Sequence, residues 1–270
     1  MAEVPEVETI VRDLRAAVVG RPIAGAQVLL PDAVRFPAPP EFEAMVAGRV
    51  VLAAERRAKH ILMPLEGGLT LAVHFMLWGT LLLAPAARRR APETLIVFAL
   101  DRDEDLRLLD KLGYARAALG TAGEVAERLD LASLGPDALD PGFTPEVLAE
   151  RLARRRGALK AVLLNQKVLA GLGNRDADES MWLAGIDPRR APVSLAPDEI
   201  ARLHGAIGEV LREGLELRGT QADLFGRPGQ ARHRRNVFER TGQPCPRCGT
   251  PIAHLRITGR NTHFCPHCQR

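Results

Sequence analysis

All four cysteines of this chain fall between positions 245 and 268, and their spacing constrains the fold more than any other feature. Cys245-Pro246-Arg247-Cys248, then sixteen residues, then Cys265-Pro266-His267-Cys268 fits a four-cysteine zinc ribbon. Each Cys-x-x-Cys knuckle supplies two thiolates from one tight turn, and two knuckles complete a tetrahedron. The stretch between them is long enough for a β-hairpin. Only about 45 residues follow Gly226, too few for an independent core, so metal binding would supply the folding energy. The expected cofactor is one structural Zn2+ on Cys245, Cys248, Cys265 and Cys268. Four thiolates leave no open position for a catalytic zinc. His263 and His267 lie close by, but no gap in the cysteine set needs filling. The alternatives are a redox dithiol or a disulfide pair. The 244 residues before Cys245 contain no cysteine, which is unlike a disulfide scaffold and suits a reducing cytoplasm.

The charge is unevenly placed. Of 37 basic residues only Lys59, Lys111, Lys160 and Lys167 are lysine; the other 33 are arginine. From Gly226 onward there are nine arginines and one acid, Glu239. Such a tail suggests a polyanionic partner, most simply nucleic acid, against the alternative of a solubilising surface. The opening residues are acidic and carry Pro5, so no secretory leader is expected. The most apolar stretch, 69–85, contains His74 and Gly79, is rich in strand formers and is shorter than a membrane span of about 20 residues. It reads as buried strands, and no membrane partner is expected.

The organisation is α+β. Val7, Ile10, Val11 and Leu14 recur at helical spacing after Pro5. Segments 26–30, 49–53, 60–64, 69–75, 80–84, 95–100, 106–109 and 114–119 are short and bounded by Gly, Pro, Asp or charges. That pattern predicts an antiparallel sandwich or barrel. Beyond the turn-rich stretch 134–142, helices are predicted over 145–155, 159–168, 176–184 and 197–217. The expected division is 1–133, 134–225 and 226–270.

Four blocks, in order, resemble the formamidopyrimidine-DNA glycosylase and endonuclease VIII family. They are Ala2-Glu3-Val4-Pro5-Glu6-Val7-Glu8-Thr9; Arg56-Arg57-Ala58-Lys59; the run 160–174 with Glu179-Ser180; and the cysteine module with Gly259-Arg260. The resemblance implies an N-terminal helix and β-sandwich, then a helix–two-turns–helix domain carrying a zinc ribbon, with DNA in the cleft between them. It implies base-excision repair: a glycosylase with abasic-site lyase activity on damaged, oxidised bases, acting as a monomer on damaged DNA in the cytoplasm or nucleoid. By resemblance the N-terminal amine attacks C1′, Glu3 protonates the leaving group or sugar oxygen, Lys59 serves β-elimination, and Arg260 holds a phosphate for the second elimination. Glu6, His74, Lys160, Lys167 and Asn174 would contact DNA, and Leu77 and Lys111 would meet it near the flipped base. The chemistry also reads from the residues alone. An α-amine with a pKa of about 7.7–8.0 is a plausible nucleophile for an aldehyde-like carbon, and a neighbouring carboxylate can act as an acid. Blander roles stand beside these. Glu3 could cap the first helix, Lys59 could be an edge-strand charge, Arg260 a surface arginine and Asn174 a turn residue.

This chain also departs from the family pattern. Ala2 replaces the usual proline, so removal of Met1 would expose a primary amine, which also forms Schiff bases. Leu77 stands at the methionine of the family's His-x-x-Met-x-Gly. The family's Asp-Pro-Arg-Arg-Phe-Gly loop reads here as Asp110-Lys111-Leu112-Gly113, two residues short and without the arginine and phenylalanine. Residues 221–229 are shorter than the loop that covers 8-oxoguanine. Lesion recognition is therefore expected to be atypical, favouring oxidised pyrimidines, abasic sites or single strands. The rival reading is a damaged-DNA-binding protein of the same fold that has lost catalysis. A third, a zinc-ribbon RNA- or ribosome-binding protein, leaves the N-terminal block unexplained.

Overall fold

Val7, Ile10, Val11 and Leu14 form the buried face of α1 (Val4–Ala17), with Pro5 in its first turn. The structure, a computed structural model, describes residues 2–270. Strands β1 (Pro22–Val28), β2 (Arg49–Val50), β3 (Glu55–Arg57), β4 (His60–Leu65), β5 (Leu69–His74), β6 (Thr80–Pro85), β7 (Thr94–Leu100), β8 (Glu104–Leu109) and β9 (Arg116–Thr121) follow. They form two antiparallel sheets, β2-β1-β7-β8-β6 and β3-β4-β5-β9. The alternation that marks half-buried strands is plain in β4, where Ile61, Met63 and Leu65 point inward. They share one core with Leu71, Val73, Ala117 and Leu119 of their own sheet and with Leu81, Ile96, Phe98, Leu106 and Leu108 of the other. Helix α2 (Pro39–Val46), which the sequence reading did not predict, seals this core, with Phe42 against Phe98 at 6.1 Å between ring centroids. A short α3 (Ala122–Arg128) follows β9, capped by Thr121.

The helical part comprises α4 (Pro145–Leu152), α5 (Leu159–Leu163), α6 (Asn174–Ala184) and α7 (Pro197–Glu216), and the tail ends in the hairpin β10 (Ala253–Ile257) and β11 (Arg260–Phe264). Helix α5 is shorter than the 159–168 prediction. The side chains of Asn165 and Gln166 turn back onto the amides of Lys167 and Gly171, so the chain leaves helical geometry there. Helix α6 ends at Gly185, whose φ of +75° is the left-handed close that glycine allows. No helix of the described residues is long and apolar enough to cross a membrane.

By contacts the chain divides into two units. One is residues 2–132 with Arg218–Gly229; the other is Ser133–Leu217 with Gln230–Arg270. The first break lies beside the one expected after residue 133. The expected cut after residue 225 differs in kind: residues 218–229 return to the sandwich, because Leu224 is fully buried in its core and its carbonyl accepts the Leu83 N–H at 2.8 Å. Residues 230–270 share a core with α6. Trp182, Val237, Cys245, Ile252 and Cys265 form one apolar cluster. The buried Glu179 carboxylate accepts the backbone N–H groups of Asn236, Val237 and Phe238 at 2.8–3.0 Å. Glu179→Ala leaves those amides without acceptors, and about 3 kcal/mol of stability should be lost, read as a lowered denaturant midpoint; Glu179→Gln should restore part of it.

Candidate active site and metal centre

The start of α1 is organised by Glu6, not by its neighbour. Glu3 occupies the N-cap position, and its N–H donates to Glu6 Oε2 at 2.8 Å. Glu6 Oε1 accepts the N–H and hydroxyl of Thr220 at 2.7 and 2.9 Å. The Glu6 carboxylate is thus buried and committed to protein donors, where the sequence reading expected DNA contact. Its place is a joint between the N-terminus and residues 218–229. Gly219 makes the joint possible. It has φ +70°, and a Cβ there would stand 2.9 Å from Glu6 Oε1. Arg218 adds a second tie, to Asp13 Oδ2 at 2.6 Å and Asp223 Oδ2 at 2.9 Å. Ala2 and Glu3 are both buried beside this joint.

On the outer face of the four-stranded sheet, His60, His74 and Arg116 stand directly across from one another on β4, β5 and β9. With Arg35 and Met76 they line a cavity of about 100 Å³ whose floor includes Ala72 and Ala118. The two imidazoles lie 4.6 Å apart. Burial, followed by the charge of Arg35, pushes His60 down to about 4, against an opposing bond to the Arg57 backbone. Burial, then His60, Lys59 and Arg35, pushes His74 down to about 3. Both rings are therefore neutral at pH 7. His74 Nδ1 accepts the Met76 N–H at 3.0 Å, which places the proton of the neutral ring on Nε2. Lys59 follows Ala58, whose φ of +54° turns the chain from β3 into β4. Leu77 is half-buried in the turn after β5, and Lys111 is exposed in the turn after β8.

That second turn corrects the sequence reading. Between Leu109 and Arg116 lie six residues, 110–115, as many as in Asp-Pro-Arg-Arg-Phe-Gly. Leu112 and Gly113 stand where the motif has its arginines, and Tyr114 where it has phenylalanine. The loop is changed in chemistry, not shortened. Asp110, almost fully buried, holds it by accepting the N–H groups of Leu112, Tyr114 and Ala115 at 2.8–2.9 Å.

In the helical unit the structure overturns one expectation. Lys160 is fully buried and touches no solvent. Its Nζ lies 2.6 Å from Asp178 Oδ1 and donates to the Asn261 carbonyl at 2.6 Å. A lysine without solvent contact cannot reach a phosphate; it neutralises a buried carboxylate instead. Asn174 Nδ2 donates to the same Asn261 carbonyl at 3.0 Å, and Asp178 Oδ2 accepts the His263 N–H at 2.9 Å. Lys160, Asn174 and Asp178 therefore grip β11 next to Arg260, which is itself exposed at the hairpin tip. Lys167 is exposed on the turn after α5. Neither Asp178 nor Glu179 was singled out in the sequence reading for its buried role, since acids on a helix read as solvated.

The four cysteine Sγ atoms all lie within 4.8 Å of one another, with Cys245–Cys268 at 4.0 Å and Cys248–Cys265 at 3.5 Å. A tetrahedral zinc with Zn–S of about 2.3 Å needs edges of about 3.8 Å, so the set fits the ion. Trp182 Nε1–H and the Cys268 N–H point at Cys245 and Cys265 sulfur, as expected of partners for thiolates. These residues hold one structural zinc ion.

Two measurements follow. Metal analysis should find one zinc per chain, and Cys248→Ser should lose it together with the protected amides of the β10–β11 hairpin. The histidine pair binds protons in the unfolded chain at an ordinary pKa of 6.5 but in the folded chain only near 4 and 3. Stability should therefore be flat above that unfolded value and fall as the pH drops toward 4, because the unfolded state takes up more protons. His60→Gln should shallow this acid limb of a melting-temperature profile.

Residues 1–117 match the family model of the formamidopyrimidine-DNA glycosylase N-terminal domain, 134–225 that of the formamidopyrimidine-DNA glycosylase H2TH domain, and 242–270 that of the zinc finger found in FPG and IleRS. The formamidopyrimidine-DNA glycosylase of Chloroflexus aggregans is 44% identical over 276 residues, covering 100% of this chain and 98% of that one. That of Symbiobacterium thermophilum is 43% identical, covering 100% and 89%. Among solved structures, Lactococcus lactis Fpg in complex with abasic-site DNA superimposes with a TM-score of 0.93 at 29% identity over the full length of both chains. The same enzyme with DNA containing an oxidised pyrimidine gives 0.92 at 29% identity, again over both chains in full. With two-sheet sandwich, helical unit and four-thiolate hairpin all matched along the whole sequence, the chain belongs to the formamidopyrimidine-DNA glycosylase family.

Proposed function

We propose that Ala2, freed of Met1, is the nucleophile of a bifunctional DNA glycosylase and abasic-site lyase. The family is one of DNA repair glycosylases, and lyase activity is a general property of it. The observation that carries the proposal for this chain is the Glu6 joint, which fixes the backbone of Glu3 and hence of Ala2 at the buried start of α1. A nucleophile held by a rigid backbone meets its target without the entropy cost of ordering a free terminus.

In this reading the Ala2 amine donates its lone pair to C1′ as the bond to the damaged base breaks, and the base leaves with that bond's electrons and takes up a proton. The amine loses a proton, Glu3 gives one to the sugar ring oxygen, and the opened sugar remains as an iminium on Ala2. Loss of a C2′ proton then expels the 3′ phosphate, a step assigned to Lys59. Arg260 holds a phosphate for the second elimination, which expels the 5′ phosphate, and water frees Ala2. His74 contributes its neutral Nε2–H to the backbone, and Lys167 and Lys111 contribute exposed charge. The partner is damaged DNA, bound by a monomer in the cytoplasm or on the nucleoid.

Ala2 in place of proline favours one rival, a DNA-binding protein of this fold without catalysis. Borohydride reduction on abasic duplex separates the two. A covalent adduct on Ala2 of Met-processed protein is expected, and its absence sinks the enzymatic reading. Glu3→Gln should cut base release by about 100-fold or more while DNA affinity stays within a few-fold, measured by product gels and anisotropy.

A further inference from the structure

Helix α1 buries two acids on one face. Glu6 and Asp13 are seven residues apart, about two turns of helix, and are 4% and 8% exposed. A buried carboxylate needs donors, and both of these find donors in residues 218–229. Glu6 Oε1 takes the N–H and hydroxyl of Thr220. Asp13 Oδ2 takes Arg218 Nη2 at 2.6 Å and the Leu224 N–H at 3.4 Å. Arg218 Nη2 also donates to Asp223 Oδ2 at 2.9 Å, and Asp223 in turn accepts the N–H groups of Phe225 and Arg227. Residues 218–229 thus form a strap laid along the acidic face of α1. One atom, Nη2, ties the first residue of the strap both to the helix and to the strap's own turn.

Arg218 stands where its own backbone does not favour it. Its φ is +57°, left-handed for a residue with a side chain, and Gly219 follows at +70°. A Cβ on Gly229 would collide with the carbonyls of Arg218 and Gly219, so the two ends of the strap meet there backbone to backbone. The middle of the strap has other anchors, with Leu224 in the core and its carbonyl on the Leu83 N–H. Its first three residues are held by Arg218 and by Thr220 on Glu6. Without the guanidinium the left-handed backbone at 218 loses its partners, and Gly219 and Thr220 are freed to shift. Thr220 is bonded to Glu6 Oε1, and Glu6 Oε2 holds the Glu3 N–H at 2.8 Å. A run of bonded neighbours therefore leads from Arg218 to the residue beside Ala2.

We propose that Arg218 is a positioning residue for the Ala2 amine: it fixes the start of the strap, the strap fixes Glu6, and Glu6 fixes the Glu3 amide and with it Ala2. The inference rests on the catalytic reading above and adds to it a residue that acts through others. A nucleophile displaced by about 1 Å keeps its chemistry but loses rate, because fewer approaches to C1′ are productive. Asp13 and Asp223 are met by one nitrogen, so a single ammonium can take the place of Nη2. A residue without a cation leaves both buried carboxylates short of a partner.

The test compares the full-length zinc protein with Arg218→Gly and Arg218→Lys. Glycine is at home at φ +57°, so Arg218→Gly should fold with a melting temperature within about 3 °C of wild type while the start of the strap comes loose. On an abasic duplex at saturating protein, its single-turnover rate of borohydride-trapped adduct should fall about tenfold, with duplex affinity unchanged within about twofold. Arg218→Lys should recover most of the rate. Hydrogen exchange gives a readout that needs no chemistry: the Glu3 and Thr220 amides should lose protection in Arg218→Gly and regain it in Arg218→Lys. A trapping rate in Arg218→Gly equal to wild type, an equal loss in both variants, or a loss accounted for by weaker duplex binding overturns the positioning role. If wild-type protein traps nothing while Glu3 protection still depends on Arg218, only the catalytic reading falls. Unchanged Glu3 protection in Arg218→Gly overturns the positioning role in either case.

Discussion

Buried carboxylates that accept backbone amides organise the irregular parts of this chain. Glu6 takes the N–H groups of Glu3 and Thr220, Asp110 those of Leu112, Tyr114 and Ala115, Asp223 those of Phe225 and Arg227, and Glu179 those of Asn236, Val237 and Phe238. Each of these four acids is at most 5% exposed. A buried charge is costly unless it is fully hydrogen-bonded, and an unpaired buried amide is costly too. Placing the two together satisfies both, and charge-assisted bonds are short and directional. The strands and helices need no such help. The segments that carry the candidate chemistry do: the N-terminus, the loop of Tyr114 and the approach to the zinc hairpin.

Asp178 extends this logic with a cation. Its partners are the amide of His263 and the ammonium of Lys160, and the same ammonium reaches the Asn261 carbonyl. Removing either ion would leave the other buried and alone, so the pair is costly to break even where it adds little net stability. It fixes where the strand bearing Arg260 packs on α6. Zinc closes the far end of that hairpin through four sulfur atoms, while Lys160 and Asn174 hold it beside its tip, at Asn261.

Much of this was legible in the sequence because it is local. Short segments bounded by Gly, Pro, Asp or charges marked the strands, and 3.6-residue spacing marked α1. The cysteine spacing marked the metal site. What stayed hidden depends on partners distant in sequence. Residues 218–229 look like part of a polar tail, yet Leu224 completes a core whose other members lie more than a hundred residues away. Lys160 reads as a phosphate ligand because nothing local announces Asp178 beneath it. The loop 110–115 seemed short because its motif residues were gone, although its length and its anchoring aspartate remain.

The burial of Lys160 has a consequence for selectivity among amines. An opened abasic sugar is an aldehyde, and it condenses with any accessible primary amine, whereas guanidinium groups are poor partners. This chain contains 33 arginines and four lysines, and one of the four lysines is sealed inside the helical unit. If the terminal amine is the nucleophile proposed above, Lys59, Lys111 and Lys167 are the lysines outside that sealed position. Cationic charge carried by arginine supplies attraction for phosphates without supplying amines that condense with an aldehyde.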